Sequence, residues 1–259
     1  MVKETSSLLK EDQKLWNKVP QVTIFFWIIK IMATTVGETA ADFLNFNLYW
    51  GLTNTTLVMG GLLIAALYFQ MTATKYVPAL YWLAVVLISV VGTLITDNLV
   101  DNLGVSLETT TIVFSVLLIL TFGVWYASQK TLSIHSITTK KREMFYWLTI
   151  LFTFALGTAA GDLVAESLNW GYLLSAIIFA ALIGAITLAY RFKLNAVTAF
   201  WFAYILTRPL GASLGDYLSQ DRSEGGLELG TTGTSIIFIV IILGLVIYLT
   251  KTKTDEVSL

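Results

Sequence analysis

The sequence predicts an all-α, polytopic membrane protein of eight spanning helices, built from four tandem two-helix repeats with pseudo-fourfold symmetry. Three observations carry this. Of 259 residues, 56% are hydrophobic, 13% are charged and three are prolines, and the mean hydropathy is +0.75, a composition typical of chains that live in lipid. Apolar runs of about 20 residues, enough to cross a hydrocarbon core about 30 Å thick, fall near 22–44, 52–72, 79–99, 108–128, 145–165, 171–190, 196–217 and 232–250. Each odd-numbered run carries one motif, a tryptophan, then a glycine ten residues on, then an aspartate five beyond that. The four copies are Trp27/Gly37/Asp42, Trp82/Gly92/Asp97, Trp147/Gly157/Asp162 and Trp201/Gly211/Asp216.

The runs are expected to be helices because lipid offers no water to free backbone groups, and no alternating ten-residue pattern suggests a barrel. The repeats are placed at 20–77, 78–140, 141–194 and 195–250, with tails at 1–19 and 251–259. The first twenty residues mix Glu4, Glu11 and Asp12 with four lysines. They carry no apolar stretch before a small-residue cleavage site, so they read as a cytoplasmic tail and not as a signal peptide. Cysteine is absent, which excludes disulfides, thiolate metal sites and thiol catalysis.

Orientation follows from the basic residues, because Lys and Arg in short loops favour the cytoplasmic side. Thirteen of sixteen fall on one side: Lys3, Lys10, Lys14, Lys18, Lys75, Lys130, Lys140, Lys141, Arg142, Arg191, Lys193, Lys251 and Lys253. The opposite loops hold only Arg222, beside Asp221, Glu224 and Glu228. Both termini are therefore expected in the cytoplasm of a bacterial inner membrane. All odd-numbered helices then run outward, so the repeats are parallel about an axis along the membrane normal. The odd helices are expected to line the centre. The even ones, almost without ionisable groups except Glu108, are suited to face lipid.

Particular residues carry a resemblance to a known family. Lys18-Val19-Pro20-Gln21-Val22-Thr23, Phe26-Trp27, Gly37-Glu38-Thr39 and Gly215-Asp216-Tyr217-Leu218 resemble the DUF347 repeat proteins, bacterial membrane proteins with four tandem repeats of two transmembrane segments and a characteristic tryptophan. The likeness covers about residues 20–250. It implies the eight-helix repeat architecture and brings no activity with it, so function has to be argued from the residues.

Helical spacing puts positions four apart on one face, and each repeat offers such a stripe. The stripes are Thr34, Glu38, Asp42, Phe46; then Ser89, Thr93, Asp97, Asp101; then Phe154, Thr158, Asp162, Glu166; and finally Arg208, Ala212, Asp216, Gln220. If they meet on the axis, seven carboxylates (Glu38, Asp42, Asp97, Asp101, Asp162, Glu166 and Asp216) share an outward cavity with two cations, Lys30 and Arg208, deeper in the membrane. Fully ionised, the cavity carries about −5. An ionisable residue at membrane depth costs about 2.5–3.5 kcal/mol on insertion scales and marks a functional site by default. So many like charges in one low-dielectric site cannot all ionise at once, so protons and a cation would compete for them.

Oxygen ligands suit hard ions such as Mg²⁺, Mn²⁺, Ca²⁺ or Na⁺, and Mn²⁺ tolerates imperfect geometry. The one histidine, His135, lies in a loop. The expectation is a secondary transporter exporting a hard divalent cation in exchange for protons, with Glu38, Asp42, Asp97, Asp162 and Asp216 as the ion ligands. No tightly bound cofactor and no nucleic-acid partner is expected; the partners are the bilayer, a small cation and protons.

The alternative is a non-transporting sensor or assembly protein whose outward acidic cup binds a cation or a basic partner. A channel is weakened by two cations on a cation route. No enzyme signature appears; an aspartate dyad for intramembrane proteolysis fits fourfold repetition poorly. The aspartates also have a bland reading as interfacial or packing residues near helix ends. Lys30 and Arg208 have one as structural ion pairs with Glu38 and an aspartate. Trp27, Trp82, Trp147 and Trp201 read as an interfacial aromatic belt with a further packing role, closing the inner mouth. Pro209, beside Arg208, is expected to kink the seventh helix. Gly157/Gly161 and Gly211/Gly215 read as close-packing faces.

Overall fold

A computed structural model describes residues 17–256; the tail residues 1–16 and 257–259 lie outside them. Eight long helices follow in order: α1 (Ile24–Asp42), α2 (Leu52–Thr72), α3 (Pro78–Asp97), α4 (Leu107–Gln129), α5 (Lys140–Asp162), α6 (Tyr172–Arg191), α7 (Ala196–Ser219) and α8 (Gly230–Thr252). There is no strand among the described residues. Seven of the helices are long and apolar enough to cross a membrane. The remaining one, α7, has the length at 24 residues but carries Arg208, Asp216 and several hydroxyls. The chain is an all-α, multi-pass membrane protein. Starts are set by local chemistry: the side chains of Thr23, Ser106, Thr139 and Asn195 accept from free amides of the first turn, and Pro78 opens α3.

The odd helices form a closed inner ring. α1 packs on α3, α3 on α5, α5 on α7 and α7 back on α1. Burial divides the helices accordingly, with 61, 67 and 56% of the apolar windows of α1, α3 and α5 buried against 17, 22, 17 and 28% for the even ones. The two helices of a repeat do not pack as a closed hairpin. In the first three repeats the even helix scarcely touches its own odd partner and lies on the odd helix of the following repeat, α2 on α3, α4 on α5, α6 on α7; α8 completes the circle on α1. Each repeat therefore covers its neighbour, and no single hairpin can bury its own apolar face.

Two cyclic contacts tie the ring. Each motif glycine receives a side chain from the next odd helix: Ser89 lies on Gly37, Phe154 on Gly92, Arg208 on Gly157 and Thr34 on Gly211, so that a methyl group at any of the four would collide. Nearer the other end, the aromatic residue before each tryptophan packs on the tryptophan of the next repeat. Phe26 meets Trp82 at 5.6 Å between ring centroids, Tyr81 meets Trp147 at 5.6 Å, Tyr146 meets Trp201 at 6.3 Å and Phe200 meets Trp27 at 5.8 Å. Such tilted and edge contacts are favoured by the ring quadrupoles. Inter-repeat packing rather than a lipid-facing belt is the place of Trp82, Trp147 and Trp201, which are buried, whereas Trp27 is half-buried; Trp201 donates from Nε1 to the Leu132 carbonyl at 2.9 Å.

Beyond the motif aspartate, α1, α3 and α5 each continue into a π-helical turn: Phe43–Asn47, Asn98–Asn102 and Leu163–Ser167. Their i→i+5 bonds run from the amides of Leu48, Leu103 and Leu168 to the carbonyls of Phe43, Asn98 and Leu163. A strict four-residue stripe does not anticipate these turns. α7 has no such turn, and it continues as helix through Pro209.

Candidate functional site

The four stripes meet. A cavity of about 210 Å³ opens at the aspartate end of the ring, lined by all seven carboxylates together with Thr96, Asn45, Phe46 and Gln220. Burial grades from floor to rim. Glu38 and Asp216 are buried, Asp42, Asp97 and Asp162 are half-buried, and Asp101 and Glu166 are exposed. This is a cup, with the motif aspartates as its wall and Glu38 one helical turn deeper.

Its floor is a single guanidinium. Arg208, fully buried, donates from Nη2 to Glu38 Oε2 at 2.8 Å, to Thr158 Oγ1 at 2.7 Å and to Thr93 Oγ1, and from Nη1 to the Thr34 carbonyl at 3.2 Å. One side chain from the fourth repeat is thereby held by all three others. Glu38, Thr93 and Thr158 occupy the same register in their repeats, where α7 has Ala212, and Arg208 rises one turn to fill that layer. Gly157 makes the passage possible, because any side chain there would occupy the space of the arginine stem. Of the seven carboxylates, Glu38 alone is ion-paired among the described residues.

Lys30 does not join the cup. It lies beneath Arg208, fully buried, with Nζ 4.0 Å from the ring centre of Phe154 and 4.3 Å from that of Tyr204. Among the described residues no hydrogen-bond acceptor meets Nζ, and the pairing of Lys30 with a carboxylate that the sequence suggests does not form; two aromatic faces take that place. Arg208 pairs with Glu38, as one reading of the sequence has it, and among the described residues no motif aspartate is ion-paired. The motif aspartates surround a void and do not converge: among the described residues no group of three acidic or histidine side chains is placed to hold a metal ion directly.

Below Lys30 the axis is closed by the aromatic ring, in which Tyr81 and Tyr146 share a hydrogen bond of 2.5 Å. The segment ahead of α1 then crosses the end. Lys18 donates to Glu143 Oε2 at 3.0 Å and to the Met71 carbonyl at 2.8 Å. Tyr76 donates to Asp255 Oδ2 at 2.5 Å, and the Asp255 carbonyl accepts from the Gln21 amide. Burial raises the Asp255 carboxyl above the usual carboxylate range, and the Tyr76 bond offsets part of that. Sequence reasoning missed Glu143 and Asp255. The aromatic residue before every motif tryptophan, Phe26, Tyr81, Tyr146 and Phe200, signals the aromatic ring and points to neither of them.

A ring of four parallel helices, sheathed by four others and open at one end to an acidic cup, defines a repeat-built multi-pass membrane protein. The family model of the Repeat of Unknown Function (DUF347) matches residues 25–76, 80–131, 145–193 and 199–255. The chain belongs to the DUF347 family. No curated protein and no solved structure matches it.

Proposed function

We propose that this protein is a secondary transporter that exchanges a hard cation, Mn²⁺ being the best match, for protons. The observation that carries the reading is the cup itself: six carboxylates that have no ion-pair partner among the described residues, around about 210 Å³, above a seventh that is held by Arg208. The oxygen ligands suit a hard ion, and their spread around a void suits one that keeps part of its water shell, as hard divalent ions tend to. Negative charge this dense attracts cations and protons to the same oxygens, which couples the two. The Glu38–Arg208 pair closes the floor, so a proton or cation that takes Glu38 releases the guanidinium from its one anionic partner. With the basic loops cytoplasmic, the cup faces outward from a bacterial inner membrane.

The test is flux in proteoliposomes across Mn²⁺, Mg²⁺, Ca²⁺ and Na⁺ with a pH-sensitive dye inside, for wild type, Glu38→Gln and Asp97→Asn. Cation flux with opposing proton flux, lost in the variants, is expected; no cation movement under a pH gradient sinks the proposal. One observation favours a second reading, a non-transporting sensor or assembly protein. The axis is closed by four successive layers, at Arg208, Lys30, the aromatic ring and Lys18. Cation binding without flux is the outcome that selects it.

A further inference from the structure

The layer that Arg208 fills has the chemistry of a cation site. Its oxygens are the Glu38 carboxylate, the Thr93 and Thr158 hydroxyls and the Thr34 carbonyl, all buried and drawn from the three repeats other than the arginine's own. One carboxylate, two hydroxyls and a carbonyl form a hard-ion ligand set. The ring is already bound to a cation, the guanidinium carried on α7. Nothing on α7 itself contributes a ligand there, since the equivalent position is Ala212, which leaves room on that side. One feature shows that the guanidinium is imperfectly housed: among the described residues its buried Nε has no partner.

We infer that the Glu38, Thr93, Thr158 and Thr34 oxygens form a second, deeper cation site beneath the cup, and that Arg208 is a tethered competitor occupying it in this conformation. The inference rests on the proposal that the cup receives a hard cation. An ion descending from the aspartate layer reaches the site only as the guanidinium leaves it. The affinity measured on wild-type protein is then the intrinsic affinity reduced by the fraction of molecules in which Arg208 has moved away. The threonine hydroxyls serve both occupants as acceptors, so the site survives the exchange without rebuilding.

The experiment is equilibrium binding of Mn²⁺ to purified wild type and Arg208→Gln, without any membrane gradient. If the arginine is displaced in about a tenth of molecules, removing it tightens Mn²⁺ binding about tenfold, and millimolar guanidinium ion added to Arg208→Gln weakens binding back toward the wild-type value. Equal or weaker binding in the variant, no binding to either protein, or indifference to guanidinium overturns the inference. Should Arg208→Gln fail to fold, Arg208→Lys keeps the charge on a side chain one bond shorter, whose ammonium stops short of the position that Nη2 holds among the Glu38, Thr93 and Thr158 oxygens. It is expected to bind Mn²⁺ more tightly than wild type, and unchanged affinity counts against the site. Tighter binding in the variants combined with no flux in liposomes overturns the transport reading and leaves the deeper site standing.

Discussion

Gly211 of α7 lies directly against Thr34 of α1, the contact by which the fourth repeat closes on the first. It repeats the Gly37–Ser89, Gly92–Phe154 and Gly157–Arg208 contacts and makes the ring continuous. Alanine at Gly211 forces a methyl group into backbone and side chain that cannot retreat, and overpacking of this kind costs about 1–3 kcal/mol. Alanine at Gly61, whose Cβ position is open, is expected to be neutral or to gain up to about 1 kcal/mol of helix propensity. Thermal unfolding of the two variants in detergent separates them, and equal midpoints would refute the ring-closing role of Gly211.

Much of this was legible in the sequence, for a physical reason. The eight apolar runs had to be helices in lipid, and the fourfold motif put Asp42, Asp97, Asp162 and Asp216 in one register, so helical period gave each repeat its polar stripe, while the convergence of the four stripes on one cavity is what the packing of the odd helices adds. The handover of each even helix to the next repeat was not legible, because α2 is flanked in the chain by α1 and α3, which carry the same motif and are equally available to it. The fate of Lys30 was hidden too. Its aromatic partners, Phe154 and Tyr204, come from other repeats and break the fourfold pattern at their positions. The π turns after Asp42, Asp97 and Asp162 leave no composition signal distinct from a frayed helix end.

The Glu38–Arg208 pair is buried, and breaking such a pair from one side costs about 3–5 kcal/mol because an uncompensated charge stays behind. Glu38→Met and Arg208→Met should each destabilise by that order, whereas the double variant should cost clearly less than the two together. A double-mutant cycle on unfolding in detergent measures the difference. Additive costs would mean that the two groups do not stabilise one another.

Trp82 is buried in the aromatic ring, while Trp50 and Trp170, at 42 and 48% exposure, stand outside it. Truncating a buried tryptophan to alanine costs about 3–5 kcal/mol, so Trp82→Ala should lower the unfolding midpoint sharply. Trp50→Ala and Trp170→Ala should stay within about 0.5 kcal/mol of wild type. A belt role would give the reverse order in vesicles.

Asp255 gives a dependence on pH whose sign can be worked out. Its carboxyl is raised above the ordinary range by burial in the folded protein, the Tyr76 hydrogen bond offsetting part of the rise, while in the unfolded chain it titrates near pH 4, as carboxylates usually do. The folded state therefore holds its proton more firmly than the unfolded state. That contribution to stability is complete below about pH 4 and is lost as pH rises through the raised value. Asn cannot ionise, and its carbonyl still accepts from the Tyr76 hydroxyl. Asp255→Asn should accordingly match wild type at low pH and become the more stable of the two as pH rises toward 7. Unfolding midpoints of both proteins across pH 4–7 test this, and a gap that shrinks or reverses with rising pH would show that the ionised carboxylate, not the neutral acid, is what the Tyr76 hydroxyl holds.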